Sequence, residues 1–266
     1  MRHILYRAAL AAVASALLPA ASAAQGLAAR IAEARDGAVV FHYSARPGVC
    51  GDGESYIRTG SHSFHGSFSS RGEMEPCVMG PVQVRLTLEN GTVNRVQYWV
   101  GPMRDRAARN LGRVPAPEAA RYLIELAERG NHRASGKAIF PAVLADSAVV
   151  WPALLGIAKD RETRATATRR DALFWLSRFA GGALAGEANE PFVEDHDRLS
   201  DDADLKRHAV FVLSQLPRGE GVPQLIEVSR SRADWRVRSH ALFWLGQSGD
   251  GRAVEVFESI LRASNR

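Results

Sequence analysis

The run Ala-Leu-Phe-Trp-Leu occurs twice in this chain, at residues 172–176 and 241–245, and an arginine stands three positions before each alanine, Arg169 and Arg238. A looser copy lies between them. It has Lys206 in the basic position and Ala209, Val210, Phe211, Val212 and Leu213 in the run, so the three alanines are spaced by 37 and 32 residues. Self-similarity at a period of roughly 30–45 residues predicts helical hairpins, because that length holds two helices and their turns. Each run is apolar around most of a helical circumference, which a lone surface helix cannot be, so each is expected to lie between neighbours in a stack. Trp175 and Trp244 then fill space between hairpins. A ligand-stacking role is the rival reading, and the apolar neighbours on every side speak against it.

The helical rhythm begins at Pro115. "PAPEAARYLIELAERG" opens on proline and closes on glycine, as capping preferences require. Helical segments of about ten to fourteen residues follow to the end of the chain. A second set of helices alternates with the repeated runs: "WPALLGIAKD" matches "VPQLIEVSRS", with Pro152 and Pro223 both at a first turn, where proline costs no backbone hydrogen bond. Residues 115–266 are therefore read as one helical repeat domain.

Residues 24–114 have a different rhythm. "AVVFHYS" is β-branched and aromatic, and "VQVRLTLENGTVNRVQYWV" alternates on both sides of Asn90-Gly91, the sequence signal for a tight hairpin. Cys50 and Cys77 are the only cysteines. Neither belongs to a Cys-x-x-Cys pair, so a disulfide is expected rather than a zinc site. Residues 1–23 combine a basic start (Arg2, Arg7), an apolar run from Ala8 to Leu18 and the Ala21-Ser22-Ala23 site, the pattern of a cleavable secretory leader. A retained N-terminal anchor is the alternative. The mature chain is expected to be periplasmic or secreted, with no membrane insertion after leader removal.

The stretch "DWRVRSHALFWLG" also carries a family pattern: Asp234, Val237, Arg238, Ala241, Leu245 and Gly246 occupy the signature positions of HEAT repeats. It is most similar to the short HEAT-like type of the phycobilin lyases. Asp202, Lys206 and Ala209 repeat the signature loosely, and Ala165 departs from it where an aspartate is expected. The resemblance covers roughly residues 118–266. It implies a right-handed HEAT-like α-solenoid of stacked helical hairpins; with the small disulfide-linked β-rich region read ahead of it, the chain is expected to be mainly α, an exported bacterial member of that family. It further implies that second helices line a concave binding face.

Chemistry is sparse. The formal charge of +5 falls by two with the leader, and acidic residues are interspersed with the arginines, which disfavours a nucleic-acid partner. No Gly-x-Ser-x-Gly elbow and no phosphate-binding loop occur. We expect a non-enzymatic protein-protein interaction scaffold with no cofactor, no metal and no catalytic residues. Its candidate partner-binding residues are Gln224, Glu227, Ser231, Glu255 and Glu258, the polar side of two second helices. The alternative is a metal-dependent activity around His62 and His65, since zinc accepts histidine ligands. A Ser/Gly-rich loop is weak context for such a site.

Overall fold

The structure is a computed structural model and describes residues 26–60, 62–64, 77–104, 106–131, 134–160, 162, 165–193 and 201–266. The leader, residues 1–23, lies outside them. Among the described residues there are nine α-helices and eight strands. The helices are α1 (Leu27–Ala32), α2 (Ala116–Arg129), α3 (Ser135–Val143), α4 (Trp151–Lys159), α5 (Thr166–Leu184), α6 (Asp201–Ser214), α7 (Val222–Arg230), α8 (Trp235–Ser248) and α9 (Arg252–Ser264). The strands are β1 (Gly37–Tyr43), β2 (Val49–Gly51), β3 (Ile57–Thr59), β4 (His62–Phe64), β5 (Val78–Met79), β6 (Val82–Glu89), β7 (Thr92–Val100) and β8 (Arg109–Arg113).

Two four-stranded sheets form, in the orders β7-β6-β1-β8 and β4-β3-β2-β5. The expected hairpin is β6–β7, closed by Asn90 and Gly91 with φ of 52° and 74°, the left-handed pair that a tight primed turn demands. Val82, Val84, Leu86 and Leu88 are buried on one face. On the return strand the apolar residues step from Val93 to Val96, and a register shift restores the phase, with Leu88 opposite Val93 and Thr87 opposite Arg95. β8 pairs parallel to β1, so the chain must cross the sheet between β7 and β8. The crossing segment is fastened to the sheet by Gln83, whose Nε2 donates to the Pro102 carbonyl, and by Arg106, stacked on Trp99 at 3.5 Å.

The expectation of a mainly α solenoid is corrected by this architecture. Helix accounts for 52% of the structure, and two sheets stand beside it, so the chain is mixed α and β. The helical half also departs from a solenoid in its packing. In a solenoid each unit touches its sequence neighbours, and equivalent helices run parallel. Here the most extensive helix packing is α5 on α8, across the intervening α6–α7 pair. α4 packs on α5 and α9, while α6 and α7 pack on α8.

The direction of the α5–α8 crossing is fixed by its small residues. A Cβ on Gly246 would lie 2.8 Å from Ser177 Cβ and 3.0 Å from the Leu173 carbonyl, and one on Gly181 would lie 2.5 Å from Ser239 Oγ. The later residue of α5 therefore meets the earlier residue of α8, so the two Ala-Leu-Phe-Trp-Leu helices run antiparallel. Phe174 and Phe243 meet across the crossing at 6.2 Å. α6 and α8 are instead parallel, with Arg207 near His240 and, one turn further on in both, Phe211 beside Trp244 at 5.4 Å.

One continuous apolar core extends from Leu27 to Leu261. The buried face of the first sheet meets α3, where Tyr98 packs edge-on against Phe140 at 5.6 Å and Tyr43 Oη donates to the Pro141 carbonyl at 2.7 Å. Arg46 joins strand and helix regions. It is buried, its Nε donates to the Val143 carbonyl at 2.7 Å, its other nitrogens reach the Ala148 and Asn189 carbonyls, and Glu190 lies 3.6 Å away. Burial lowers its pKa, and Glu190 and Asp146 oppose that shift. A buried cation is tolerated because it is hydrogen-bonded and paired.

Candidate functional site

The repeated runs differ sharply in what covers them. In α5, Thr168, Ala172, Trp175 and Phe179 are all buried. Trp175 stacks on Phe140 with 5.0 Å between centroids and 8° between planes, and Phe192 closes on its edge at 5.8 Å. In α8, Val237 and Ala241 are buried at 1% and 0% exposure, and Trp244 is half-buried. Trp244 donates from Nε1 to His240 Nε2 at 3.1 Å. Both tryptophans thus sit in packing positions.

The equivalent positions of α6 are Leu205, Ala209, Val212 and Leu216, the last just beyond the helix end. All four are exposed, with Leu205 at 68%, Val212 at 51% and Leu216 at 41%. The spacing of four and three residues sets Leu205, Ala209 and Val212 in one stripe along the helix, and Leu216 follows past its C-terminal end in extended backbone. The opposite stripe, Ala203 and Val210, is buried. Among the described residues α6 is held by one side only, and its free side carries apolar residues at positions where α5 buries all four and α8 buries Val237 and Ala241, with Trp244 half-buried and Ser248 exposed. Half of the large apolar side chains exposed among the described residues belong to this stretch, namely Leu205, Phe211, Val212 and Leu216.

Charge frames the stripe. Asp202 and Asp204 lie in the first turn of α6, and Asp202 is paired with Lys206 at 2.5 Å. Beyond the last turn, Arg218 is exposed in a left-handed conformation, φ 55°. Beside the stripe a shallow cleft between α6 and α8 is lined by Asp204, Arg207, His208, Phe211 and His240. The His240 pKa is pushed down to about 4, first by burial and then by the nearby Arg207 guanidinium. Its neutral ring is thereby kept as the acceptor for Trp244.

The residues proposed from sequence fall elsewhere. Gln224, Glu227 and Ser231 are exposed on α7 and its C-terminal edge, and Glu255 is exposed on α9. Glu258 is half-buried between Lys159 Nζ at 2.6 Å and the Arg262 guanidinium at 2.8 Å, and these two hydrogen bonds lower its pKa. It fastens α9 to α4. α7 packs on α6 and α8, whereas α9 packs on α5, α4 and α8, so the five residues are distributed over two separately packed helices. The signature residues act locally. Asp234 caps α8 through the Arg236 amide at 2.9 Å, and Arg238 Nε donates to the Ser229 carbonyl at 3.0 Å, linking α8 to α7.

Cys50 and Cys77 form the disulfide, with 5.2 Å between Cα atoms, and it tethers β2 to the entry of β5. Such a bond is compatible with an extracellular or periplasmic location. His62 lies on β4 opposite Thr59, and His65 lies outside the described residues. Among the described residues no group of three or more histidines, cysteines or carboxylates could hold a metal ion, and no helix is long and apolar enough to cross a membrane.

Comparison with family models, curated proteins and solved structures finds no match. The geometry of α6 is what the chain itself offers. Leu205, Val212 and Leu216 are not candidates from the sequence, because the apolar run of their helix reads as the inside of a stack. The signal that points to Leu205 and Val212 is their match with positions 237 and 244, read together with the fact that among the described residues only one side of α6 is covered.

Proposed function

We propose that this chain is an exported, non-enzymatic interaction protein that engages another polypeptide through the free side of α6. The observation that carries the reading is the contrast at equivalent positions: Val237 and Ala241 are buried, while Leu205, Ala209 and Val212 face solvent. A stripe of large apolar side chains loses solvation free energy for every Å² left uncovered, at about 25 cal/mol. Contiguous exposed apolar surface rimmed by charge marks docking sites. Export is supported by the leader pattern in residues 1–23 and by the disulfide, and the periplasm is the compartment proposed.

The test is a capture experiment on cells expressing the full chain, with a Leu205→Glu/Val212→Glu variant beside it. Both positions are exposed, so the variant is expected to keep its far-ultraviolet circular dichroism and unfolding midpoint. Loss of the cross-linked partner from the folded variant is the expected result. An undiminished partner would overturn the assignment to α6.

A further inference from the structure

We infer that the polypeptide docking on α6 is a second copy of this chain, related by a two-fold axis so that the two α6 helices run antiparallel. The inference rests on the interaction reading above and adds the identity of the partner. Three features of the stripe point to it.

The first is self-complementary spacing. An axis placed between Val210 and Phe211 sets Leu205 opposite the partner's Leu216 and Ala209 opposite the partner's Val212. Large residues meet at both ends of the stripe. At its centre a small one faces a β-branched one, so the helices can approach closely, and interaxial distance is set by the side chains at the contact.

The second is charge. The same axis brings the acidic first turn, Asp202 and Asp204, to the end of the helix where the partner's Arg218 stands. A parallel pair would instead bring the two acidic turns together. Antiparallel alignment also sets the positive end of each helix dipole against the negative end of the other. A two-fold interface uses one patch twice and closes, leaving neither copy with an open stripe.

The third is that copies of this run already pair in opposite directions inside the molecule. α5 and α8 cross antiparallel with Phe174 and Phe243 in contact. Phe211 is the corresponding residue of α6, and it is 40% exposed on the side of the cleft, against Trp244. The α5–α8 crossing uses a different face of the helix, so it shows the compatibility of these sequences and does not duplicate the α6 contact.

Sedimentation velocity of the purified, disulfide-intact chain over a wide micromolar range tests the inference. The expected result is a concentration-dependent monomer–dimer equilibrium. Leu205→Glu/Val212→Glu is expected to raise the dissociation constant by roughly thirtyfold or more, the change that loss of buried interface anchors brings. Arg218→Glu weakens the dimer, and Asp204→Lys combined with Arg218→Glu restores it, a rescue that misfolding could not produce. Mixing Leu205→Cys chains with Leu216→Cys chains under mild oxidation yields the mixed disulfide, while Leu205→Cys alone yields none.

A wild-type chain that stays monomeric at all concentrations overturns the second-copy inference, and so does a dimer indifferent to Leu205→Glu/Val212→Glu or a covalent dimer from Leu205→Cys alone. A monomeric wild-type chain that still loses a cross-linked protein in the double variant would leave the interaction reading standing with a different partner. A monomer with no such cross-link would remove both.

Discussion

α8 and α6 are two readings of one sequence pattern. Each has aspartate at its start (Asp234 alone for α8) and continues through a basic residue, an alanine and a run of large apolar side chains, and the two helices lie parallel with Arg207 near His240 and Phe211 against Trp244. α8 is covered by α5 on one side and by α6 and α7 on the other, whereas among the described residues α6 has neighbours on one side only. The pattern therefore encodes a helix that wants two covers, and the chain supplies both for α8 and one for α6. The difference teaches that burial in such a helix belongs to its neighbours and not to its own sequence.

The clamp that holds the covered part of the molecule together is the place for the largest effect. Arg46→Ala removes the donors to the Val143, Ala148 and Asn189 carbonyls and leaves Glu190 without its cation. Loss of one member of a buried pair costs about 3–5 kcal/mol, measurable as a lowered midpoint in urea unfolding. A change below 1 kcal/mol would show that Arg46 is not what couples sheet to helices.

Removing the cross-link comes next. Cys50→Ser/Cys77→Ser frees residues separated by 27 in sequence. The chain-entropy model gives about 3–4 kcal/mol for a loop of that order. The expected result is a matching loss when the wild type is unfolded with and without reductant.

The comparison itself is sharpened by one substitution made twice. Ala241→Leu forces methylenes into a filled site and is expected to cost about 1–3 kcal/mol. Ala209→Leu, at the equivalent exposed position, is expected to stay within about 0.5 kcal/mol. Equal penalties at the two positions would break the contrast between α8 and α6.

The smallest effect is in pH. The folded-state pKa of His240 lies below the ordinary value of 6.5, at about 4. Above pH 6.5 the ring is neutral in both states and its contribution to stability is whole. As pH falls toward 4 the unfolded chain takes up the proton first, and stability declines. Part of the ring is open to solvent, so the loss is on the order of 1–2 kcal/mol. His240→Phe flattens this limb of the pH–stability curve. An unchanged limb would show that burial beside Arg207 does not hold the ring neutral.

Much of the secondary structure is legible in the sequence because its signals are local. Asn90-Gly91 announces the β6–β7 turn, Pro115 and Gly130 bound α2, Pro152 and Pro223 sit in the first turns of α4 and α7, and two cysteines leave a single pairing. β8 is harder to see, since only Leu111 of its five residues is buried and its parallel pairing depends on the crossing segment. The solenoid expectation failed because an all-round apolar helix does not say which neighbour covers it or in which direction. Gly246 fits a repeat signature and equally serves a close antiparallel crossing against Ser177. Arg46 carries no local signal, since its partners lie about a hundred residues or more along the chain. The α6 face escaped notice for the same reason as the solenoid, since its exposure follows from the absence of a second neighbour among the described residues.

The most direct test of the central claim places a photo-activatable phenylalanine analogue at Val212 and, separately, at Glu227 of the chain expressed in cells. The account predicts a discrete higher-mass adduct from position 212 and none from 227, because α6 and not α7 carries the docking face. A discrete adduct from 227 with none from 212 would contradict it and return the interaction to the polar side of the second helices.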